Sequence, residues 1–287
     1  MPLFTIFTPT YNRAYTLPQL YKSLINQTLK DFVWLIIDDG STDDTEQIIK
    51  SFIEEKKISI TYIKQQNQGK HIAINNSLDI ITTEYFITVD SDDYLLKNAV
   101  QICTQLAEEN IQKEKFAGFT FFRSDKTNKT IINSNNKTSF IYNYLIIDLI
   151  GENTFVLKTN IAKKYKFPVY VGEKFCQESY MLVQIMNFYN ILYTDYILAI
   201  GEYLEDGLSQ NIYKRLLANP KYSLATLKIK YESNIFNKEE KKTFAINYWD
   251  IVLKTKVVNP IIQIFNFPLM GTLIYLTYRI KSYISPN

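Results

Sequence analysis

Tyr85-Phe86-Ile87-Thr88-Val89-Asp90-Ser91-Asp92-Asp93 joins an apolar run of strand length to three carboxylates within four positions. A short apolar run closed by turn residues predicts a strand buried on both faces. Carboxylates this close repel one another unless a cation is near, so the turn is costly as scaffold alone. Magnesium and manganese take oxygen ligands and are commonly held by one or two carboxylates plus substrate phosphates. The stretch therefore reads as a metal–diphosphate site at a strand end. An aspartate-rich turn that binds nothing is the plainer reading.

Toward the N-terminus the same pattern recurs three times. Residues 3–8 run into Pro9-Thr10-Tyr11-Asn12-Arg13, then into a helix with Leu17, Leu20, Tyr21, Leu24 and Ile25 on one face. Residues 32–37 end at Asp38-Asp39-Gly40-Ser41. The helix after them takes Thr42 or Thr45 as its cap and Ile48, Ile49, Phe52 and Ile53 as its inner face. Residues 58–63 lead through the polar loop of residues 65–70 to a helix over residues 71–80. Strands alternating with helices across short loops predict right-handed βαβ units and a parallel sheet covered on both faces. Ligands of such sheets bind at the carboxyl ends of the strands, the rim shared by all four polar loops.

Beyond residue 106 the pattern changes to mixed α+β. Residues 116–122, 153–158 and 191–203 read as strands, residues 124–137 as a polar loop, and residues 177–189 as a helix with Leu182, Ile185, Met186 and Tyr189 on one face. From residue 211 the chain is helical and basic. Residues 211–287 hold 12 Lys/Arg against 4 Asp/Glu, whereas the first 210 hold 20 against 25.

A basic tail on an acidic body suits nucleic acid or an anionic membrane surface. The mostly apolar, aromatic residues 257–278 favour membrane, so no nucleic-acid partner is expected. Pro260, Pro268, Gly271, Asn259, Gln263 and Asn266 interrupt that stretch, which predicts an interfacial segment rather than a spanning helix. The protein's own core or a second copy in a homo-oligomer are the other surfaces such a tail can meet.

Cys103 and Cys176 stand far apart and form neither a disulfide framework nor a ligand spacing, and the single histidine, His71, excludes multi-histidine zinc sites within one chain. Met1-Pro2-Leu3-Phe4 carries no basic signal region. A cytoplasmic location is expected, peripheral at the inner face of the membrane.

Phe7-Thr8-Pro9-Thr10-Tyr11-Asn12-Arg13, Asp38-Asp39-Gly40-Ser41 and Asp90-Ser91-Asp92-Asp93, in this order and at these separations, resemble the motifs of a family-two glycosyltransferase with the GT-A fold. The likeness is strongest over residues 3–110 and weaker to about residue 210. It implies an α/β chain with a Rossmann-like nucleotide-binding half (residues 1–105), a mixed α+β acceptor half (residues 106–210) and a helical extension (residues 211–287). It also implies a nucleotide-diphosphate sugar as donor, usually a uridine one.

By this resemblance Pro9, Thr10 and Tyr11 line the nucleoside, and Asp39 accepts from the base N–H, as an acceptor-only carboxylate can. Asp90 and Ser91 meet the ribose or a metal-bound water, and Asp92 ligates Mn2+ or Mg2+. Asp93 lies behind the metal or caps the next helix. Arg13 and Lys70 counter diphosphate charge or are solvated cations, and Asp38 either serves the donor or caps its turn. Gly69-Lys70-His71, Ala73 and Asn75 resemble a stretch that packs near the donor, where His71 reads as a helix-start residue rather than a catalytic one.

Transfer with inversion needs a carboxylate to take the acceptor's proton. The family places it in an acidic pair at a helix start in the second half. Here that pair is Gln177-Glu178, so Glu178 is the first candidate and Glu173 the second, with a dipole-stabilised surface glutamate as the plainer reading. Residues 203–210 resemble a loop that approaches the diphosphate or acceptor. The Gln-x-x-Arg-Trp stretch of processive synthases is missing, because Trp34 and Trp249 stand in other contexts; this implies one sugar per event. The expected acceptor is a glycan or lipid-linked glycan in cell-surface polysaccharide or capsule synthesis.

Two other functions share the features. A sugar nucleotidyltransferase would want a glycine-rich phosphate loop after the first strand, where Pro9-Thr10-Tyr11-Asn12-Arg13 has no glycine. A non-catalytic nucleotide-sugar-binding protein would keep the aspartates without a base.

Overall fold

The computed structural model describes residues 1–124, 139–141, 153–201, 211–255 and 258–284. They divide into two compact units. One comprises Met1–Lys166 with Phe188–Leu204, the other Phe167–Asn187 with Glu205–Asn287.

The first unit is built on the alternation that the sequence predicts. Strands β1 (Phe4–Thr10), β2 (Phe32–Asp38), β3 (Ile60–Lys64) and β4 (Tyr85–Thr88) are parallel, in the order β3-β2-β1-β4. Helices α1 (Leu17–Ile25), α2 (Thr45–Glu55) and α3 (Lys70–Ile80) form the crossovers. Every residue of β1 is buried, as a central strand covered on both faces must be. Helix α1 buries Leu17, Leu20, Tyr21 and Leu24, and Tyr21 stacks on Phe52 of α2 with ring centroids 4.0 Å apart.

Helix α2 departs from its predicted inner face, for Ile53 is exposed while Ile49 and Phe52 are buried. Neither threonine caps it with its own hydroxyl. Asp43 accepts from the Thr45 N–H at 3.1 Å, and the Thr45 hydroxyl accepts instead from the Arg13 N–H at 3.2 Å.

Past β4 the sheet turns mixed. Strand β5 (Asp93–Leu95) and helix α4 (Ala99–Asn110) precede β6 (Phe116–Ser124), β7 (Ser139–Ile141), β8 (Asn153–Lys158) and the short helix α5 (Thr159–Ala162). The run read as residues 191–203 is two strands, β9 (Asn190–Tyr193) and β10 (Ile197–Gly201). Beyond β4 the order is β8-β6-β10-β5, with β8 antiparallel to both its neighbours and β9 lying parallel on β6 beside β7. The polar-loop reading of residues 124–137 and the loop of residues 203–210 lie almost wholly outside the described residues.

The second unit is helical: α6 (Ser179–Met186), α7 (Ile212–Ala218), α8 (Pro220–Glu232), α9 (Lys238–Lys254), α10 (Pro260–Asn266) and α11 (Leu269–Ile284). Its core joins Tyr231, Tyr248, Trp249, Val252, Phe267 and Tyr275. Asn237 and Glu240 form a reciprocal capping box at the start of α9, which satisfies donors that the helix cannot satisfy itself. No helix among the described residues is long and apolar enough to cross a membrane.

Candidate active site at the carboxyl ends of the parallel strands

Parallel register brings the three motifs to one edge. Thr10 at the end of β1 stands opposite Asp38 at the end of β2, and Val89 donates its N–H to Phe7 of β1 at 2.9 Å. N–H and C=O of one residue face the same neighbour in a parallel ladder, so Pro9, two residues beyond Phe7, turns its missing donor toward β4 just where that pairing has ended. The loop after β1 is fastened to the loop after β2. Asn12, in a left-handed conformation (φ 51°), takes a hydrogen bond from the Thr42 N–H at 2.8 Å, and its own N–H donates to the Ser41 hydroxyl at 2.8 Å. Tyr11 is left on the rim, 46% exposed.

The paired aspartates after β2 have separate tasks. Asp38 is fully buried and accepts from the Ser41 N–H, three residues on, at 2.7 Å and from the Tyr62 hydroxyl at 2.8 Å, so it holds the turn through its own side chain. Asp39 faces the loop after β3. It accepts at 2.8 Å from the Gln65 side-chain amide, from the Gln68 N–H and from the Gly69 N–H. That loop is thereby drawn to the shared rim, and α3 starts directly behind it. His71 is buried within the first turn of α3, and burial pushes its pKa down to about 4, so it is neutral at pH 7.

Lys70, first residue of α3, places its ammonium 2.6 and 2.8 Å from the two carboxylate oxygens of Asp90. The turn that begins at Asp90 closes through the Asp93 N–H on the Asp90 carbonyl at 3.0 Å, with Ser91 buried inside it. Burial raises the pKa of Asp92, and the neighbouring Asp90 charge raises it further, while Arg13 and Lys70 pull it back. Arg13, Lys70, Asp90 and Asp92 thus form one charge cluster at the strand ends.

Asp93 lies behind that cluster and still feels it. Burial raises its pKa and the charges of Asp90 and Asp92 raise it further, against the pull of Arg123 at the end of β6, whose Nε donates to it at 2.6 Å. Arg123 sits in the apolar strand β6 without any motif around it and is invisible as a site residue in the sequence. Gly201 of β10 lies opposite Asp93 in register, and a Cβ there would come within 1.8 Å of the Asp93 carboxylate and 2.3 Å of Arg123 Nε. Gly201→Ala is expected to break this buried pair and destabilise the fold by about 3 kcal/mol, read as a lower midpoint of urea unfolding. An unchanged midpoint would show that the pair carries no such weight.

Which of these groups suits a divalent cation follows from the donor set. Among the described residues no cluster of three or more His, Cys, Asp or Glu side chains is arranged to enclose a metal. With Asp90 paired to Lys70 and Asp93 to Arg123, Asp92 is the carboxylate of the turn that remains for a cation. One carboxylate completed by diphosphate oxygens and water is an ordinary way to hold magnesium, so the residues fit a cation that shares its ligands with the donor.

Both base candidates lie in the helical unit, whereas the residues above lie in the sheet unit. Glu173 spends its two oxygens on the start of α8, accepting from the Lys221 and Tyr222 N–H groups at 3.1 Å each. Those are donors that the first turn of a helix leaves unpaired. Asn219 adds to the same strap by accepting from the Lys174 and Phe175 N–H groups at 2.7 and 3.1 Å. Glu178 stands half-buried at the start of α6, where its carbonyl takes the first helical hydrogen bonds.

The profile of glycosyl transferase family 2 matches residues 5–162, more than half of the chain. A Campylobacter jejuni GalNAc(5)-diNAcBac-PP-undecaprenol beta-1,3-glucosyltransferase is 35% identical over 111 residues, covering 38% of this chain and 36% of that one. Escherichia coli chondroitin synthase is 35% identical over 103 residues, covering 36% of this chain and 15% of that one. The matches thus span about a third of the first relative and a much smaller part of the second. Among solved structures, S. aureus TarS 1-349 in complex with UDP-GlcNAc superposes with a TM-score of 0.63 at 16% identity, over 96% of this chain and 78% of that one. A Pyrobaculum calidifontis mannosyltransferase in complex with GDP-Man and Mn2+ superposes with a TM-score of 0.59 at 13% identity, over 99% and 81%. At these identities the two structures speak for the fold.

Proposed function

This chain belongs to glycosyl transferase family 2, and from that premise we propose that it transfers a single sugar, with inversion, from a nucleotide-diphosphate sugar to a glycan acceptor. The observation that carries the reading is the convergence of Tyr11, Asp39 and the Asp90–Asp92 turn on adjacent ends of one parallel sheet, with Lys70 beside them. Pro9, Thr10 and Tyr11 receive the nucleoside, Asp39 meets the base, and Asp90 with Ser91 lies at the ribose. Arg13 and Lys70 bring positive charge to the diphosphate. Asp92, together with diphosphate oxygens, would hold Mn2+ or Mg2+, which when bound neutralises the charge that builds on the departing nucleoside diphosphate.

Glu178 takes the proton of the acceptor hydroxyl as its oxygen attacks the anomeric carbon and the bond from that carbon to the diphosphate oxygen breaks. Glu173 is the weaker candidate because its oxygens already serve the backbone of α8. The donor is read as a UDP-sugar. The acceptor is read as a lipid-linked glycan of surface polysaccharide synthesis, met at the cytoplasmic face of the membrane. In support stand the basic, apolar C-terminal stretch and the undecaprenol-linked acceptor in the Campylobacter relative's name.

A thermal-unfolding panel of nucleotide sugars with and without Mn2+ tests the reading, since a binder stabilises the folded state by mass action. A UDP-sugar is expected to raise the midpoint by a few degrees with manganese and much less without it. No response to any nucleoside diphosphate or nucleotide sugar would overturn the assignment.

A further inference from the structure

Helix α11 is apolar on two opposite faces. Its inner face, at Gly271 and Tyr275, packs into the core of the helical unit, with Tyr275 stacked against Trp249 at 6.1 Å. A Cβ at position 271 would come within 2.4 Å of the Phe267 ring, so the approach is as close as a glycine permits. The outer face carries Leu269, Leu273, Leu276 and Ile280 at i, i+4, i+7 and i+11, and all four are exposed (Leu269 68%, Leu273 46%). Helix α10 presents Ile261 and Phe265 to solvent in the same way, Phe265 at 85%. Between the two helices Phe267 is buried and stacks on Tyr248 at 3.9 Å, which anchors the elbow while both outer faces stay bare.

Single exposed leucines are ordinary on a protein surface, but a regular stripe over two consecutive helices is not. What covers it follows from the charge around it. Residues 251–287 contain four basic side chains (Lys254, Lys256, Arg279, Lys281) and no Asp or Glu. The carboxylate just before them, Asp250, pairs with Lys254 at 3.0 Å, and the segment is still net positive when that pair is set aside.

We propose that the outer face of α10 and α11 lies on an anionic lipid bilayer, its apolar stripe sunk to the level of the acyl boundary and the positive charge of the segment at the level of the headgroups. An apolar face flanked by cations is the pattern of an in-plane interfacial helix. The 16 residues of α11 reach about 24 Å, too short for an ordinary bilayer core. A second copy of this chain would be the poorer match, because two such segments bring like charges together. The inference deepens the reading of a lipid-linked acceptor and rests on it for its purpose, though its test requires no transfer reaction.

The experiment is co-flotation of the full chain with phosphatidylcholine vesicles, with and without phosphatidylglycerol, at low and high salt. Binding is expected with the anionic vesicles and at least about tenfold weaker with the neutral ones or in high salt. Leu273→Glu with Leu276→Glu, and separately Phe265→Glu, are expected to weaken binding by about tenfold or more. Phe265 projects so far into solvent that its replacement leaves the fold intact, as the unfolding midpoint will report. Equal binding by these variants, or no binding by the parent chain, would overturn the proposal. So would a concentration-dependent dimer that the same substitutions abolish while vesicle binding stays absent. Donor-induced stabilisation, measured on the same samples, separates a failure here from a failure of the transferase reading.

Discussion

Asp92→Asn is expected to lower sugar transfer by about a hundredfold to a thousandfold, the scale on which removing one electrostatic stabiliser of a transition state acts. The replacement keeps the shape of the side chain, removes its negative charge and turns one of its two acceptor oxygens into an NH2 donor. Burial and the Asp90 charge disfavour the ionised form of Asp92 more than its backbone hydrogen bond, Arg13 and Lys70 favour it, so a neutral amide at this place relieves repulsion within the turn. The unfolding midpoint without ligands should therefore stay where it is or rise slightly. The manganese-dependent part of the stabilisation by a nucleotide sugar should vanish. Transfer activity within tenfold of the parent chain would remove Asp92 from the role of metal ligand, whatever the stability measurements say.

Glu178→Gln is expected to reduce kcat by about 10²–10⁴-fold with the KM for the donor little changed, because a general base acts on the acceptor's proton and not on donor binding. Glu173→Gln gives the contrasting result. An amide retains one acceptor oxygen, so one of the two N–H groups at the start of α8 loses its partner and the favourable charge at the helix N-terminus is lost. The expected loss is about 1 kcal/mol of stability, with activity per folded molecule retained. Steady-state kinetics and urea unfolding on the same preparations distinguish the two residues. If Glu173→Gln lost kcat and Glu178→Gln lost only stability, the base would be Glu173.

The parallel first half of the sheet was legible because each of its elements is announced locally. The apolar runs of β1, β2 and β4 end at a proline or an aspartate (Pro9, Asp38 and Asp90), and Leu17, Leu20, Tyr21 and Leu24 repeat at helical spacing. The rim that collects the loops follows from parallel pairing, which the alternation already implies. Beyond β4 the information is no longer local. Strand β5 has only three residues and exists because Asp93, Tyr94 and Leu95 pair antiparallel with Gly201, Ile200 and Ala199, more than a hundred positions later. Arg123 and Gly201 act together on Asp93, and neither carries a signal of its own. Glu173 looks like a catalytic carboxylate in the sequence because nothing near it announces that its oxygens will cap a helix beginning at Pro220.

The clamp that Asp39 makes on the loop after β3 amounts to a count of lone pairs. A carboxylate offers about four acceptor sites. Two on Oδ1 are filled by the Gln65 amide and the Gln68 N–H, and one on Oδ2 by the Gly69 N–H. Where Asp39 meets the base as proposed, a single vacancy suits a base with one ring N–H, as uracil has, and leaves the second of guanine's two adjacent donors without an acceptor, a mismatch that a buried polar edge penalises strongly. Base selection at this rim would then depend less on the shape of a pocket than on how many hydrogen bonds the protein has already made with its own carboxylate.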